Sequence, residues 1–138
     1  MKAEDRKRLG NVIIEQIRDR TRDGVGVNSQ GREFDLSSRP YTAKYAKKKG
    51  VSQSAVDLTL TGDMLENMFV KSTDESSVTI SVRARDYGKL RGAEEGIKTK
   101  KGIVKRPFFH LSKNDIEQIR NNPDFINVFK RAAKRVSD

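Results

Sequence analysis

The stretch FVKSTDESSVTISVRA, residues 69–84, alternates between apolar and polar side chains in its second half. Because successive side chains of a strand point to opposite faces, this alternation predicts a half-buried strand. Its apolar face is expected to consist of Val78, Ile80, Val82 and Ala84. Residues 69–72 are predicted to form a second strand, and the intervening TDES supplies the turn. The two strands together predict an antiparallel hairpin.

Apolar residues at helical spacing predict one long helix near the N-terminus and a short helix directly before the hairpin. Residues 3–22 are charged except for a narrow apolar stripe, which packs on a sheet or a neighbouring element. That stripe is formed by Leu9, Val12, Ile13 and Ile17. Before the hairpin, Thr61 is a good N-cap for the short central helix. The buried side of this short helix is expected to be Met64, Leu65 and Met68.

Two further helices are predicted after Pro107. Ser112 is followed three residues later by Asp115, which is the signature of a capping box at a helix N-terminus. The inward-facing residues of this helix are expected to be Ile116 and Ile119. Asn122 caps the last helix, and Pro123 occupies its first position. One side of the last helix is expected to be lined by Phe125, Val128, Phe129, Ala132 and Val136.

Length and composition favour one domain with a modest core. A chain of 138 residues with 34% hydrophobic residues is expected to form a single domain over residues 1–138. Residues 23–56 and 85–106 are rich in glycine and lysine and are predicted as long flexible loops. In the first, PYTAKYAKKKG is compatible with a short helix that carries Tyr41 and Tyr45 on one face. The predicted fold is α+β: a small antiparallel β-sheet packed by an N-terminal helix, a short central helix and C-terminal helices, with long basic loops.

The residue types that enzymes and metal sites need are scarce. The chain has no cysteine, which excludes disulfides and thiol catalysis and fits a reducing compartment. His110 is the only histidine and lies between two apolar residues, so we expect it to pack or cap locally. Glu94 and Glu95 are adjacent and would point to opposite faces of an extended segment, which suits no paired acid-base site. We therefore expect no enzymatic activity, no cofactor and no metal.

Other short patterns also favour structural roles. Asp57 and Asp63 flank LTLTG and are expected to be loop and cap residues. GVGVNSQG is rich in glycine, but no predicted strand and helix frame it as a phosphate-binding loop requires. The N-terminus MKAEDRKRLGNVIIEQ lacks an apolar signal core, and the apolar runs are too short for a transmembrane helix. No membrane partner is expected.

The formal net charge of +10 is concentrated in two segments that we predict as loops. The first contains Lys44, Lys47, Lys48 and Lys49, and the second contains Lys98, Lys100, Lys101, Lys105 and Arg106. Both have aromatic neighbours, which is compatible with nucleic-acid contact. They are equally compatible with docking on an acidic protein surface or with simple solvation. No helix-turn-helix, zinc-finger or RNA-recognition signature indicates sequence-specific reading.

The order of these segments resembles the tail-completion and neck proteins of tailed bacteriophages, which are also grouped as virion-morphogenesis proteins or minor tail components. RPYTAKYAKKKG, LTLTGDMLENM, a hairpin, EEGIKTKKGIVKRPFFHLS and a terminal helix follow one another from Pro40 onward. The residues that carry the resemblance are Leu60, Thr61, Gly62, Met64, Leu65, Gly96, Arg106, Pro107, Phe108, Leu111 and Ser112. The chain departs from the family where a histidine often precedes the glycine at position 96, since Ala93, Glu94 and Glu95 stand there instead.

The resemblance implies a structural virion protein rather than an enzyme. Copies would form a homo-oligomeric ring, for which a hexamer is one stoichiometry, around the DNA channel between the head connector or adaptor and the tail terminator or tail tube. It would be assembled in the host cytoplasm and carried in the virion. The basic segments would face a neighbouring ring or make non-specific contact with channel DNA. The alternative is a small basic nucleic-acid-binding module that uses the two lysine-rich segments.

Overall fold

The computed structural model of the chain describes residues 2–54, 64–75, 77–100 and 102–137, with residues 131–137 described as backbone only. The helices in this part are α1 (Ala3–Arg22), α2 (Ala43–Lys49), α3 (Tyr87–Glu95), α4 (Lys113–Arg120) and α5 (Pro123–Ser137). The strands are β1 (Val25–Val27), β2 (Glu33–Asp35), β3 (Phe69–Thr73), β4 (Val78–Ser81), β5 (Ile97–Thr99) and β6 (Gly102–Val104). They pair into three separate antiparallel hairpins, β1–β2, β3–β4 and β5–β6. The predicted α+β class is thus confirmed.

The hairpin predicted over residues 69–84 is present and has one irregularity. Phe69 pairs with Ser81 and Thr73 with Val78, and a bulge interrupts the register between Val70 and Ser72. The turn is fixed by Asp74, whose carboxylate accepts hydrogen bonds from the backbone N–H and the hydroxyl of Ser77. The strand ends earlier than predicted, because residues 84–86 form a 3₁₀ turn. Ala84 is therefore exposed, contrary to the predicted apolar face.

Helix α1 lies across the β3–β4 hairpin and closes the main core. Gly10 permits this approach, because a Cβ atom there would lie 2.6 Å from Val70 Cγ2 and 2.8 Å from Val78 Cγ1. Sequence alone had shown only the helix-weakening effect of this glycine. The buried core residues are Ile14, Ile17, Met64, Leu65, Met68, Val82, Ala93 and Phe108. A smaller cluster under β1–β2 and α2 contains Leu36, Tyr41 and Ala46.

The predicted central helix is only partly within the described residues. Thr61 and its neighbours lie outside them, and residues 64–67 form turns rather than a helix. The burial prediction for this segment is confirmed, because Met64, Leu65 and Met68 are all nearly inaccessible. Arg18 in α1 helps to hold the segment, since its Nε donates to the Leu65 carbonyl at 3.0 Å.

The C-terminal helices begin where the sequence predicts. Ser112 and Asp115 form a reciprocal capping box at the start of α4, and the Asn122 side chain accepts from the Asp124 N–H at the start of α5. Ile119 and Val128 are buried as expected. Two predicted inward positions are not buried, because Ile116 is 41% exposed and Phe129 is 47% exposed. Ala132 and Val136 have no described side chains.

Both segments predicted as loops contain regular structure. Residues 23–56 include β1, β2 and α2, and residues 85–106 include α3 and the β5–β6 hairpin. The short helix expected in PYTAKYAKKKG is present, with Thr42 as its N-cap, and the rings of Tyr41 and Tyr45 are in edge contact at 4.8 Å. The strands of both added hairpins are only three residues long, which is too short for a clear alternating pattern.

Candidate interaction site

The turn from residue 105 to residue 112, which carries five of the eleven motif residues, is held by a buried arginine of α1. Arg20 Nη2 donates to the carbonyl oxygens of Phe108 and His110 at 2.9 and 2.8 Å. Its Nε lies 3.2 Å from Asp115 Oδ2, and both side chains are almost fully buried. Burial lowers the pKa of Arg20, and the carboxylate of Asp115 opposes that shift. The ion pair therefore ties α1 to both the turn and the cap of α4.

A glutamate of α3 holds the same turn from the other side. Glu94 Oε1 accepts from the backbone N–H groups of Phe108 and Phe109 at 3.0 and 2.9 Å. Its Oε2 lies 2.6 Å from His110 Nε2. The expectation that Glu94 points from an extended segment was wrong, because it lies on a helix and faces inward. His110 takes part in this local contact, in agreement with the structural role expected for it.

Arg106 is part of the same support and not of the accessible basic surface. Its guanidinium donates to the carbonyl oxygens of Arg39 and Pro40 at 2.8 Å each and lies 4.9 Å from the centre of the Tyr41 ring. The residue is only 8% exposed. Burial is the main factor that lowers the pKa of Arg106, and the charge of Arg39 acts in the same direction. The prediction that Arg106 ends a partner-facing basic loop is corrected accordingly.

The other motif residues that the structure describes in this region have structural roles as well. Leu65 and Phe108 are in the main core, Leu111 packs against it, and Ser112 caps α4. Pro107 is buried between them. Leu60, Thr61 and Gly62 lie outside the described residues, as do Asp57 and Asp63.

The two basic segments, far apart in sequence, meet at Tyr41. Lys49 Nζ lies 4.8 Å from the centre of the Tyr41 ring and 3.1 Å from its hydroxyl oxygen, while Arg106 contacts the same ring. Arg39 Nη1 also donates to the Lys105 carbonyl at 2.6 Å. Helix α2 and the base of the β5–β6 hairpin are therefore neighbours. The exposed lysines that they present are Lys44, Lys47, Lys48, Lys98, Lys100 and Lys105, whereas Lys101 lies outside the described residues.

The β5–β6 hairpin presents an apolar residue between two lysines. The register pairs Lys98 with Ile103, so their side chains share one face, and Lys105 follows two positions later on that face. Ile103 is 68% exposed, the largest value among the large hydrophobic residues whose side chains the structure describes. It lies over Gly96, where a Cβ atom would collide with it and where φ is +104°. We call the surface formed by Lys98, Ile103 and Lys105 the hairpin face.

A cleft between α1 and α5 is the second candidate site. Its volume is about 340 Å³, and buried Val12 and Val128 form its apolar floor. Polar side chains complete its lining, namely Arg8, Asn11, Glu15, Asp124 and Asn127. Arg8 is already paired with Glu4 at 3.2 Å, while Glu15 and Asp124 have no ion pair with any described residue. The lining therefore carries two carboxylates without a described ion pair and one arginine that is paired with Glu4.

Three residues that organise these surfaces were missed from the sequence. Arg20 continues the helical spacing of Ile13 and Ile17, so a charged residue at a core position was the available signal. Glu94 and Ile103 had no comparable signal, because α3 and the β5–β6 hairpin were not predicted.

Among the described residues, no group of three or more His, Cys, Asp or Glu side chains is placed to hold a metal ion. No helix in that part of the chain is long and apolar enough to cross a membrane. Comparisons of the chain with protein-family models, with curated proteins and with solved structures found no match.

Proposed function

We propose that the chain is a structural virion protein of a tailed phage, a tail-completion or neck component that assembles as a ring around the DNA channel. It would join the head connector or adaptor to the tail terminator or tail tube, after assembly in the host cytoplasm. The sequence resemblance motivates this proposal. One structural observation supports it most: large apolar side chains remain exposed on the α3–β5–β6 unit, at Tyr87 (48%), Ile97 (51%) and Ile103 (68%).

The internal polar contacts fit the same role. The hydrogen-bonding groups of Arg20, Glu94 and Arg106 hold the turn of residues 105–112 in place, so these side chains are not available to bind a substrate or a partner. The exposed lysines of the two basic segments are instead carried on α2 and on the β5–β6 hairpin and the residue that follows it. A rigid body with exposed contact elements is suited to repeated assembly contacts.

Mass measurement tests the proposal directly. Light scattering and native mass spectrometry should detect a closed oligomer of the chain, alone or with connector and tail-tube proteins. The apolar contacts of an assembled interface should also protect the β5–β6 amides from hydrogen exchange. A chain that stays monomeric under all these conditions and binds neither neighbour contradicts the proposal.

A small nucleic-acid-binding module is the second candidate, and the contact of both basic segments at Tyr41 favours it. In this candidate the lysines of α2 and those of the hairpin would serve together as a phosphate-binding surface. In a salt titration of duplex DNA binding, K47E/K48E should weaken binding and reduce the salt slope by about 2 if both lysines contact phosphates. K2E/K7E at the exposed start of α1, which changes the net charge by the same amount, is the matched control. Unchanged DNA binding in K47E/K48E, together with failed particle assembly, excludes this candidate.

A further inference from the structure

We propose that the hairpin face of one copy docks into the α1–α5 cleft of a neighbouring copy, which makes the chain assemble head to tail. The inference rests on the proposed ring and names the two surfaces that form its repeated contact. The occupant of the cleft is a second copy of this chain.

The hairpin face presents an exposed apolar side chain, flanked by two lysines, that can insert into a pocket of a partner. Ile103 projects from a two-stranded hairpin and is more exposed than it is buried. Lys98 is its direct cross-strand partner, and Lys105, which directly follows β6, lies with Ile103 against Gly96. The lysine side chains make no ion pair with any described residue. A partner must therefore offer an apolar pocket with negative charge at its rim.

The α1–α5 cleft meets both requirements. Its floor of Val12 and Val128 is apolar, and its volume of about 340 Å³ accommodates an isoleucine side chain. Glu15 from α1 and Asp124 from α5 supply two carboxylates on opposite walls. Two carboxylates around an apolar floor are equal in number and opposite in sign to two lysines around an apolar side chain, and Arg8, the cation of the lining, is paired with Glu4.

The charge of the whole chain strengthens this assignment. At +10, two copies repel each other unless they meet through locally opposite charges. The cleft offers such charges beside an apolar floor. Phosphate groups would pair with the two lysines but would leave the apolar side chain of Ile103 uncovered. The cleft, which offers both carboxylates and an apolar floor, is therefore a better partner for the hairpin face than a nucleic acid is.

The geometry of the contact also has the right symmetry. The hairpin face and the cleft are different surfaces of the same chain, so the contact is heterologous. Heterologous contacts generate closed rings when the rotation between copies closes, and filaments when it does not. An isologous contact, in which one surface meets itself, would stop at a dimer.

Engineered cysteines test the pairing, because the natural chain contains none. I103C and N127C are made as separate single variants, mixed and oxidised, alone and with connector and tail-tube proteins. A disulfide between the two variants requires their Cα atoms to approach within about 7 Å. We expect a covalent dimer from this mixture and none from I103C mixed with S29C, whose cysteine lies on an exposed turn.

A charge exchange provides the second arm. K98E/K105E should weaken self-association by about tenfold or more, and adding E15K/D124K to the same chain should restore it to within about threefold. All four side chains are exposed, so each variant is expected to keep its fold, and circular dichroism checks this. E15K/D124K alone should be as weak as K98E/K105E.

The outcomes separate this inference from the proposed function. Rings that form without the I103C–N127C disulfide, or a charge exchange that fails to restore association, overturn the docking and leave the ring proposal standing. Lost DNA binding with unchanged self-association in K98E/K105E also overturns it and assigns the hairpin face to nucleic acid. A chain that is monomeric in every mixture overturns both proposals.

Discussion

Removing Arg20 should destabilise the protein more than any surface change. The substitution R20A leaves the carboxylate of Asp115 buried without its cation and removes the donors to the Phe108 and His110 carbonyls. Breaking a buried pair in this way costs about 3–5 kcal/mol. Asp115 keeps hydrogen bonds from Gln16 Nε2 and the Ser112 N–H, both at 2.9 Å, which limits the loss to this range.

That loss is a large part of a domain stability of about 5–15 kcal/mol. It corresponds to a decrease in Tm of roughly 10–20 °C for a domain of this size. Urea unfolding followed by circular dichroism measures it as a shift in the midpoint at constant slope. R8A is the control, because Arg8 makes an exposed pair with Glu4, and its loss should stay within about 0.5 kcal/mol. An R20A loss below about 1 kcal/mol would refute the assigned role of the buried pair.

Three further changes probe other parts of the fold. G96A should lower the free energy of unfolding by about 1–3 kcal/mol, since Gly96 has a positive φ and an added Cβ would collide with Ile103. G102A is the control and should lower it less in the same urea experiment, because Gly102 has a positive φ but open space around it. S112A should lower stability by about 1 kcal/mol through loss of the capping box, and an unchanged urea midpoint would contradict this. Burial raises the pKa of Tyr45, so folded protein should ionise this phenol at higher pH than unfolded protein. The contribution of Tyr45 to stability is then present below about pH 10 and is lost as the pH rises further. An absorbance titration of the wild type against Y45F measures the ionisation of this phenol. A Tyr45 pKa at or below the value in unfolded protein would contradict the prediction.

Sequence patterns that span only a few residues correctly predicted the helices and the strand in which they occur. The apolar stripe of α1, the alternation in β4 and the Ser112–Asp115 spacing each report a periodic or capping constraint within a few residues. Helix α1 and the start of α4 were found at the predicted residues, whereas β4 ends three residues before the predicted end at Ala84. The burial of Met64 and Leu65 also followed from spacing, although the turn around them did not.

The features that could not be predicted depend on contacts across the chain. Three-residue strands such as β5 carry no usable periodicity, so Ile103 was placed in a loop. The role of Arg106 depends on the carbonyls of Arg39 and Pro40, which are 67 and 66 positions away. The charge of Arg106 suggested a surface role. Only the tertiary structure shows that its guanidinium is hydrogen-bonded to backbone carbonyls in place of water.

The bonds of Arg20 also impose an order on folding during protein synthesis. Its carbonyl partners lie 88 and 90 positions later in the chain, so a ribosome releases α1 long before those partners exist. Until then Ile14 and Ile17 lie in a core that lacks Phe108, and the guanidinium has the Val25 carbonyl but not the carbonyls of Phe108 and His110. Contacts of such separation slow folding, and the nascent N-terminal part is exposed to aggregation meanwhile. Folding of the main core can therefore finish only after the turn that follows residue 105 has been synthesised and has packed against α1.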